Sequence, residues 1–385
     1  MPIWINKANI YLFLWFLYYL LSALYWEESF FRQILSSILL GVSFYYFVVV
    51  NQQGKLPAFF TGLNILIIMF SVYGIALILG YNPEDYKIKV PSYNYLKIIY
   101  RSLLPIYAFY FFSKNGLLTN KTFCMWLFFF FVLVTIEFYG NQKRMLLYAM
   151  SIKSTQTEFT NNVGYSFLAL LPAISFLKNK PFVQYLALSY CMIFLLLGVK
   201  RGAIIIGFLC ILLFFWNKLK KNNSIKGKLR VVLFMTGLSL LGFIFVQNQM
   251  DKASFFQERV EKTLAGNTSK RDDIFSTMAN YFWNEASPFS FVFGSGANST
   301  LKIYKYAHND WLEIAINQGV LGLMIYVIFW FFFMKTAFMK RKDPYVSLAL
   351  QMLFVICFFK TFFSMSYGDY ALPTSFTLGY SLAQE

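Results

Sequence analysis

The chain has one histidine, His308, and its neighbours make it the first place to look for chemistry. It sits in Ala307-His308-Asn309-Asp310-Trp311-Leu312-Glu313, followed by Asn317-Gln318-Gly319-Val320-Leu321-Gly322. Asp310 and Glu313 have the spacing of a capping box, which predicts a helix with Asp310 as its N-cap. His308 then falls just ahead of a helix N-terminus, whose partial positive charge disfavours an imidazolium. A neutral imidazole can take a proton, as a general base must. The plainer reading of His308 is an interfacial side chain that satisfies backbone groups. Capping accounts for Glu313, which is therefore not read as catalytic. Gly319 and Gly322 bring no side chain, and close helix packing is their expected use.

Two arginines have the chemistry to meet an anion. Arg201, in Lys200-Arg201-Gly202, caps a hairpin between two apolar runs, and Gly202 lets a ligand or another chain approach closely. A guanidinium there can fork onto phosphate oxygens, although snorkelling to the interface is its plainer use. Arg271 lies in Ser269-Lys270-Arg271-Asp272-Asp273, where solvated surface charge is the default. Asp272 and Asp273 lack a supporting His or Cys and are thin grounds for a metal. Lys143, Arg144 and Lys360 read more readily as interface anchors than as ligands. Cys124, Cys191, Cys210 and Cys357 all lie in apolar runs without metal or redox spacing, and read as small buried hydrophobes.

The elements that must hold these residues are set by composition. Of 385 residues, 58% are hydrophobic, 21% aromatic and only 13% charged. A soluble protein of this size could not cover so much apolar surface. Apolar runs near spanning length fall at 10–26, 34–50, 56–80, 98–112, 122–139, 163–177, 183–199, 203–216, 229–247, 313–334, 345–363 and 371–383. The chain is expected to be an all-α, polytopic integral membrane protein with about twelve transmembrane helices. The first run is expected to stay as a span rather than leave with a signal peptide. Helices one to nine then occupy 1–247, a large extracytoplasmic loop 248–312, and the C-terminal helices 313–385. The last run is the least certain to cross.

Charge gives the orientation. Lys and Arg number 34 against 17 Asp and Glu, a net +17. Placing both termini inside puts Lys55, Lys114, Lys121, Lys178, Lys180, the 218–228 lysines and the 335–342 basic residues on the cytoplasmic side. His308, Arg201 and Arg271 then share the outer face. The basic residues are scattered between apolar runs, which speaks against nucleic acid as a partner. Within the loop, Asp251 to Leu264 reads as an amphipathic helix. A second helix is expected from Ser269 through Ile274, Met278 and Phe282, ending before Pro288 and laid on the membrane or the bundle.

The run Arg271…Pro288…Gly294-Ser295-Gly296…His308-Asn309…Leu312-Glu313…Gly319…Gly322 resembles the signature of the O-antigen ligase/polymerase family. Those are bacterial inner-membrane enzymes that transfer glycans from an undecaprenyl pyrophosphate carrier on the outer side. Lys200-Arg201-Gly202 resembles the family's basic-Arg-Gly turn, and Asn161-Asn162 its Asn-rich stretch before the sixth span. The motifs cover about the second half of the chain; the first half matches only in its run of spans. The resemblance implies a GT-C-like fold whose large loop carries short helices. It implies His308 as the catalytic residue that orients or deprotonates the acceptor hydroxyl, and Arg201, Arg271 and Lys200 on the pyrophosphate. Asn309, Asp310, Glu313 and Gly296 would support them. Inversion at the anomeric carbon, no metal and no cofactor are also implied. The implied partners are an undecaprenyl pyrophosphate-linked oligosaccharide, membrane lipids and a chain-length regulator.

Within that family the polymerase, which lengthens a second lipid-linked repeat unit, is favoured over the ligase, which transfers to lipid A core. The chain is compact, and its motif reads His-Asn-Asp-Trp-Leu-Glu. A second pyrophosphate would need a second basic site, for which Lys143, Arg144, Lys87, Lys89 and Lys97 are at hand. A lipid-linked sugar flippase or other transporter is the reading from a different class. Transporters place polar groups near mid-membrane, whereas the charges here lie near helix ends.

Overall fold

Apolar chain inside a bilayer must satisfy its own N–H and C=O groups, and helices do so within one segment. The computed structural model describes residues 6–25, 29–151, 161–178, 180–221, 224–252, 271–363 and 371–384, and among them every α or other regular element is helical. The α-helices in chain order are α1 (Lys7–Leu24), α2 (Phe30–Asn51), α3 (Ala58–Leu79), α4 (Tyr93–Leu103), α5 (Pro105–Lys114), α6 (Asn120–Ser151), α7 (Gly164–Ile174) and α8 (Pro181–Leu197). They continue with α9 (Arg201–Lys221), α10 (Ile225–Lys252), α11 (Arg271–Asn280), α12 (Pro288–Phe293), α13 (Thr300–Ile303), α14 (Asp310–Phe338), α15 (Pro344–Phe363) and α16 (Leu372–Leu382).

Among the described residues, 7 of these helices are long and apolar enough to cross a membrane: α1, α2, α3, α6, α9, α14 and α15. They correspond to seven of the twelve expected runs, and the other runs take different forms. The 98–112 run is broken at Leu104, because Pro105 has no N–H to continue the ladder and opens α5 instead. The 371–383 run becomes α16, whose 11 residues reach only about 16 Å at 1.5 Å per residue. Every residue of α16 is buried. It is a half-length plug in the bundle rather than a lipid-facing span. A Cβ on Gly379 would come within 2.7 Å of the Ile106 carbonyl and 2.9 Å of the Tyr110 nitrogen, so the α5 and α16 backbones touch there. Phe376 stacks on Phe123 at 4.5 Å, and Ser375 Oγ donates to the Ser102 carbonyl at 2.7 Å.

The helix α14 is interrupted at Gly319, with φ 69° and ψ −166°, a conformation that favours glycine. A helix break leaves carbonyls without their partners four residues on. Here they are taken by the preceding loop: Ser295 N–H donates to the Ile316 carbonyl at 2.8 Å and Gly296 N–H to the Asn317 carbonyl at 3.0 Å. A side chain on Gly319 would run into the Val292 carbonyl at 2.4 Å. Packing was the expected use of Gly319; its larger contribution is this left-handed turn.

Of the loop helices, the expected one over 251–264 falls mostly outside the described residues, as does Ser269. The second is present as α11, followed by a π-helical turn over Tyr281–Glu285. Its predicted stripe Ile274, Met278 and Phe282 is buried against Ala307, Ala315 and Ile316, so α11 lies on the first half of α14.

Candidate functional site: a cationic cavity

The segment carrying His308 is fixed from below by a buried carboxylate. Glu313 is fully buried; its Oε1 accepts from the Thr300 hydroxyl and from Asn317 Nδ2, and its Oε2 accepts from the Ala307 N–H at 2.8 Å. Asn317 Oδ1 accepts from the Thr300 N–H at 3.3 Å. A buried carboxylate needs such donors to offset its lost hydration. On the other side of His308 it is Asn309, not Asp310, that caps α14. The Asn309 Oδ1 accepts from the Trp311 and Leu312 N–H groups at 2.9 and 3.2 Å. Asp310 is the first helical residue, buried, and accepts from the Tyr326 hydroxyl at 2.9 Å. The expected capping box is thus corrected: the cap lies one residue earlier, and Glu313 reaches the loop instead of the cap.

Held between Ala307 and Asn309, His308 adopts φ 54°, the left-handed region that non-glycine residues rarely enter. Its side chain is exposed to the cavity described below. Desolvation by the cavity wall, then the charges of Arg271, Lys305 and Lys200, push its pKa below the ordinary value of 6.5. The neutral imidazole expected from the sequence is favoured by burial first and by these charges after it.

The second structural support is the turn between α8 and α9. Val199 takes φ 50°, and the Gly198 carbonyl accepts from the Asn161 N–H at 2.9 Å. The buried Asn161 side chain accepts from Asn141 Nδ2 at 2.8 Å and donates to the Phe138 carbonyl at 2.9 Å, so it ties this turn to α6. A Cβ on Gly202 would meet the Tyr165 hydroxyl at 2.6 Å and Phe363 Cβ at 2.8 Å. Close approach is why glycine follows Arg201.

His308, Arg201, Arg271 and Lys200 all line one open cavity of about 1060 Å³. Its charged lining residues are Arg101, Lys200, Arg201, Arg271, Lys305 and Lys360 against Glu137 and Asp272. Lys360 also lies over the Tyr165 ring at 5.5 Å, and Arg101 Nη1 donates to the Tyr18 hydroxyl at 2.6 Å. Among the described residues, α7 starts at the wall beside Asn162 to Ser166, α9 at Lys200 to Gly202 and α16 at Ala371 to Thr374, α11 runs from Arg271 at the wall, and α14 starts two residues beyond His308. Each N-terminus carries roughly half a positive charge. The arrangement attracts an anion.

Not every expected residue comes to this cavity. Asn309, Asp310, Glu313 and Gly296 lie behind it and hold its wall, as described above. Lys143 is exposed elsewhere on α6, and Arg144 donates to the Gly140 and Ser22 carbonyls at 3.3 and 3.4 Å. Lys87 donates to the Ile303 carbonyl. Arg101, Glu137 and Lys305 line the cavity without having drawn attention in the sequence, where nothing in their spacing links them to His308.

Fold and site together define a class: a multi-pass α-helical membrane protein with a cationic cavity at the starts of several helices. Residues 186–327 match the family model described as O-Antigen ligase, which supports the O-antigen ligase/polymerase family. The matched stretch contains Lys200, Arg201, Arg271 and His308. No curated protein and no solved structure matches the chain.

Proposed function

We propose that the protein is a membrane glycosyltransferase that polymerises lipid-linked repeat units. The cavity takes the pyrophosphate and adjoining sugar of a polyprenyl pyrophosphate-linked glycan. One observation carries this reading: Arg201, Arg271 and Lys200 share that cavity with the one histidine and with the first residues of several helices. Such preorganised positive charge stabilises a pyrophosphate most when it leaves. The acceptor sugar hydroxyl attacks the anomeric carbon from the face opposite the pyrophosphate. The new C–O bond forms as the old one breaks, the bonding electrons leave with the pyrophosphate, and the hydroxyl proton passes to neutral His308. Configuration inverts, and neither metal nor cofactor takes part.

In the same proposal the protein lies in a bacterial inner membrane with the cavity on the periplasmic side. The opposite end of α9 carries Lys218, Lys220 and Lys221, which the inside-positive rule places in the cytoplasm. The ligase reading is favoured by the description of the matched family model and differs only in the acceptor. Purified protein given lipid-linked repeat units alone decides between them. A ladder of lengthened products is the expected result. Products that form only when lipid A core is added would make the protein a ligase, and no transfer in either case would overturn the enzyme reading.

A further inference from the structure

The cavity has a second set of polar side chains that the pyrophosphate reading does not use. Tyr19 and Ser22 of α1, Arg101 of α4, and Glu137 and Asn141 of α6 all line it. None lies within the matched stretch 186–327, whereas Lys200, Arg201, Arg271, Lys305 and His308 all do. The two sets also differ in chemistry. The matched stretch supplies most of the cations, as a pyrophosphate requires. The other set combines one guanidinium, one carboxylate, one carboxamide, hydroxyls and an aromatic ring, with formal charges that cancel.

That combination suits a saccharide. Planar carboxylate, amide and guanidinium groups fork onto neighbouring hydroxyls, and an aromatic ring covers the apolar face of a pyranose. Their geometry is fixed in advance. Arg101 Nη1 donates to Tyr18 Oη at 2.6 Å, and the Tyr18 ring meets those of Tyr19 and Trp15 edge-on at 5.3 and 5.8 Å. The Asn141 amide nitrogen is committed to Asn161 at 2.8 Å, so its oxygen is the group left to accept from a sugar hydroxyl. Asn161 in turn holds the turn before Arg201 through its N–H bond to the Gly198 carbonyl. This second set is therefore tied mechanically to the cationic one. The volume of about 1060 Å³ is just above the range of roughly 300–1,000 Å³ that holds a drug-sized ligand. It has room for a second sugar beside the first.

We propose that Tyr19, Ser22, Arg101, Glu137 and Asn141 form the acceptor-saccharide subsite, which sets which sugar hydroxyl reaches His308. This rests on the glycosyltransferase reading above, and the test separates the two. Two substrates are used: a lipid-linked repeat unit capped at its non-reducing end, which can only donate, and a lipid-free glycoside of the repeat unit, which can only accept. Sugar-free polyprenyl pyrophosphate serves as the binding probe. Glu137→Gln, Asn141→Ala and Arg101→Lys should each raise KM for the glycoside about 10-fold or more, the usual effect of losing a hydrogen bond to a charged or well-placed group. Probe binding and donor KM should stay within about 2-fold of the parent, a difference too small for a lost contact. Glu137→Gln preserves shape and Arg101→Lys preserves charge, so they carry the test if Asn141→Ala does not fold. Unchanged glycoside KM in the folded variants would overturn the subsite, as would a matching fall in probe binding. If Arg201→Ala and Arg271→Ala bind the probe normally, the donor reading itself is what fails.

Discussion

Basic side chains gather at both ends of α9, and the two groups are used in opposite ways. At the C-terminal end Lys178, Lys218 and Lys221 surround the Tyr345 ring, with their nitrogens 5.8, 5.5 and 3.4 Å from its centroid. Lys178 also pairs with Asp343 at 3.1 Å, and Lys218 donates to Gln184 at 2.7 Å. At the N-terminal end, about 30 Å away along the helix, Lys200 and Arg201 face an open cavity with Arg271, Lys305 and His308. The first group is held on a shared ring, one carboxylate and one amide, and fills its own space. The second presents charge to a volume large enough for a substrate. An excess of positive charge is therefore not a site by itself; what distinguishes the site is open volume with charge converging on it from separate helices.

Removing the one imidazole tests that distinction most severely. His308→Ala should lower transfer by about 10²- to 10⁴-fold, the usual contribution of a general base. Lys221→Ala in the other group should leave transfer unchanged. Both are measured as turnover of lipid-linked repeat units, with probe binding as the control for folding. Equal losses in the two variants would erase the comparison.

The next effect in size concerns the shape of the charge. Arg201→Lys and Arg271→Lys keep the charge but lose the planar fork, and each should weaken polyprenyl pyrophosphate binding about 10-fold or more. Full retention by lysine would show that the cavity attracts its ligand by charge alone. Lys218→Arg, at the other end, should not change probe binding.

How far these two ends could be told apart from sequence varies residue by residue. His308 stood out because it is single and sits beside a capping motif. The cap itself was misplaced by one position, since Asn309 and Asp310 are adjacent and either side chain can accept from the next N–H groups. Gly319 was visible as a glycine, but its left-handed φ depends on the backbone of Val292 to Gly296, brought in from the preceding loop. The run that forms α16 reads as a span because lipid and protein interior are equally apolar, and hydropathy does not distinguish them. Arg101, Glu137 and Lys305 belong to the cavity only through the fold. They come from α4, α6 and the segment before α14, and no periodicity joins them.

A smaller effect tests why His308 stays neutral. Burial comes first and the fields of Arg271, Lys305 and Lys200 follow, all lowering its pKa from 6.5. A base works in its deprotonated form, so transfer falls as pH drops through that depressed value. Lys305→Ala removes one of the opposing charges, allows the imidazole to hold its proton to higher pH, and should move the acid limb of the kcat profile upward. Activity on the alkaline plateau should remain near that of the parent. A limb that stays in place would mean that Lys305 does not act on His308, and a downward shift would contradict the sign of its field.

The smallest expected effect lies at the other end of α9. In the Lys178–Asp343 pair the side chains remain 38% and 34% exposed, so solvent screens the interaction. Burial alone would raise the Asp343 pKa, but the Tyr345 N–H and Lys178 outweigh it and hold the carboxyl below its usual value. A depressed carboxylate pKa contributes stability that is fully present above the unfolded value and is lost as pH falls through the folded one. At neutral pH the contribution is therefore complete, and Lys178→Ala should remove the share that Lys178 supplies. For so exposed a pair the loss should be below about 1 kcal/mol. Lys218 and Lys221 remain on the Tyr345 ring to hold α9 against α15. Thermal unfolding in detergent at pH 7 should accordingly change little, and transfer not at all. A large drop in stability would show that this end of α9 relies on one ion pair rather than on the shared ring, and a loss of transfer would mean that the two basic groups are coupled along the helix.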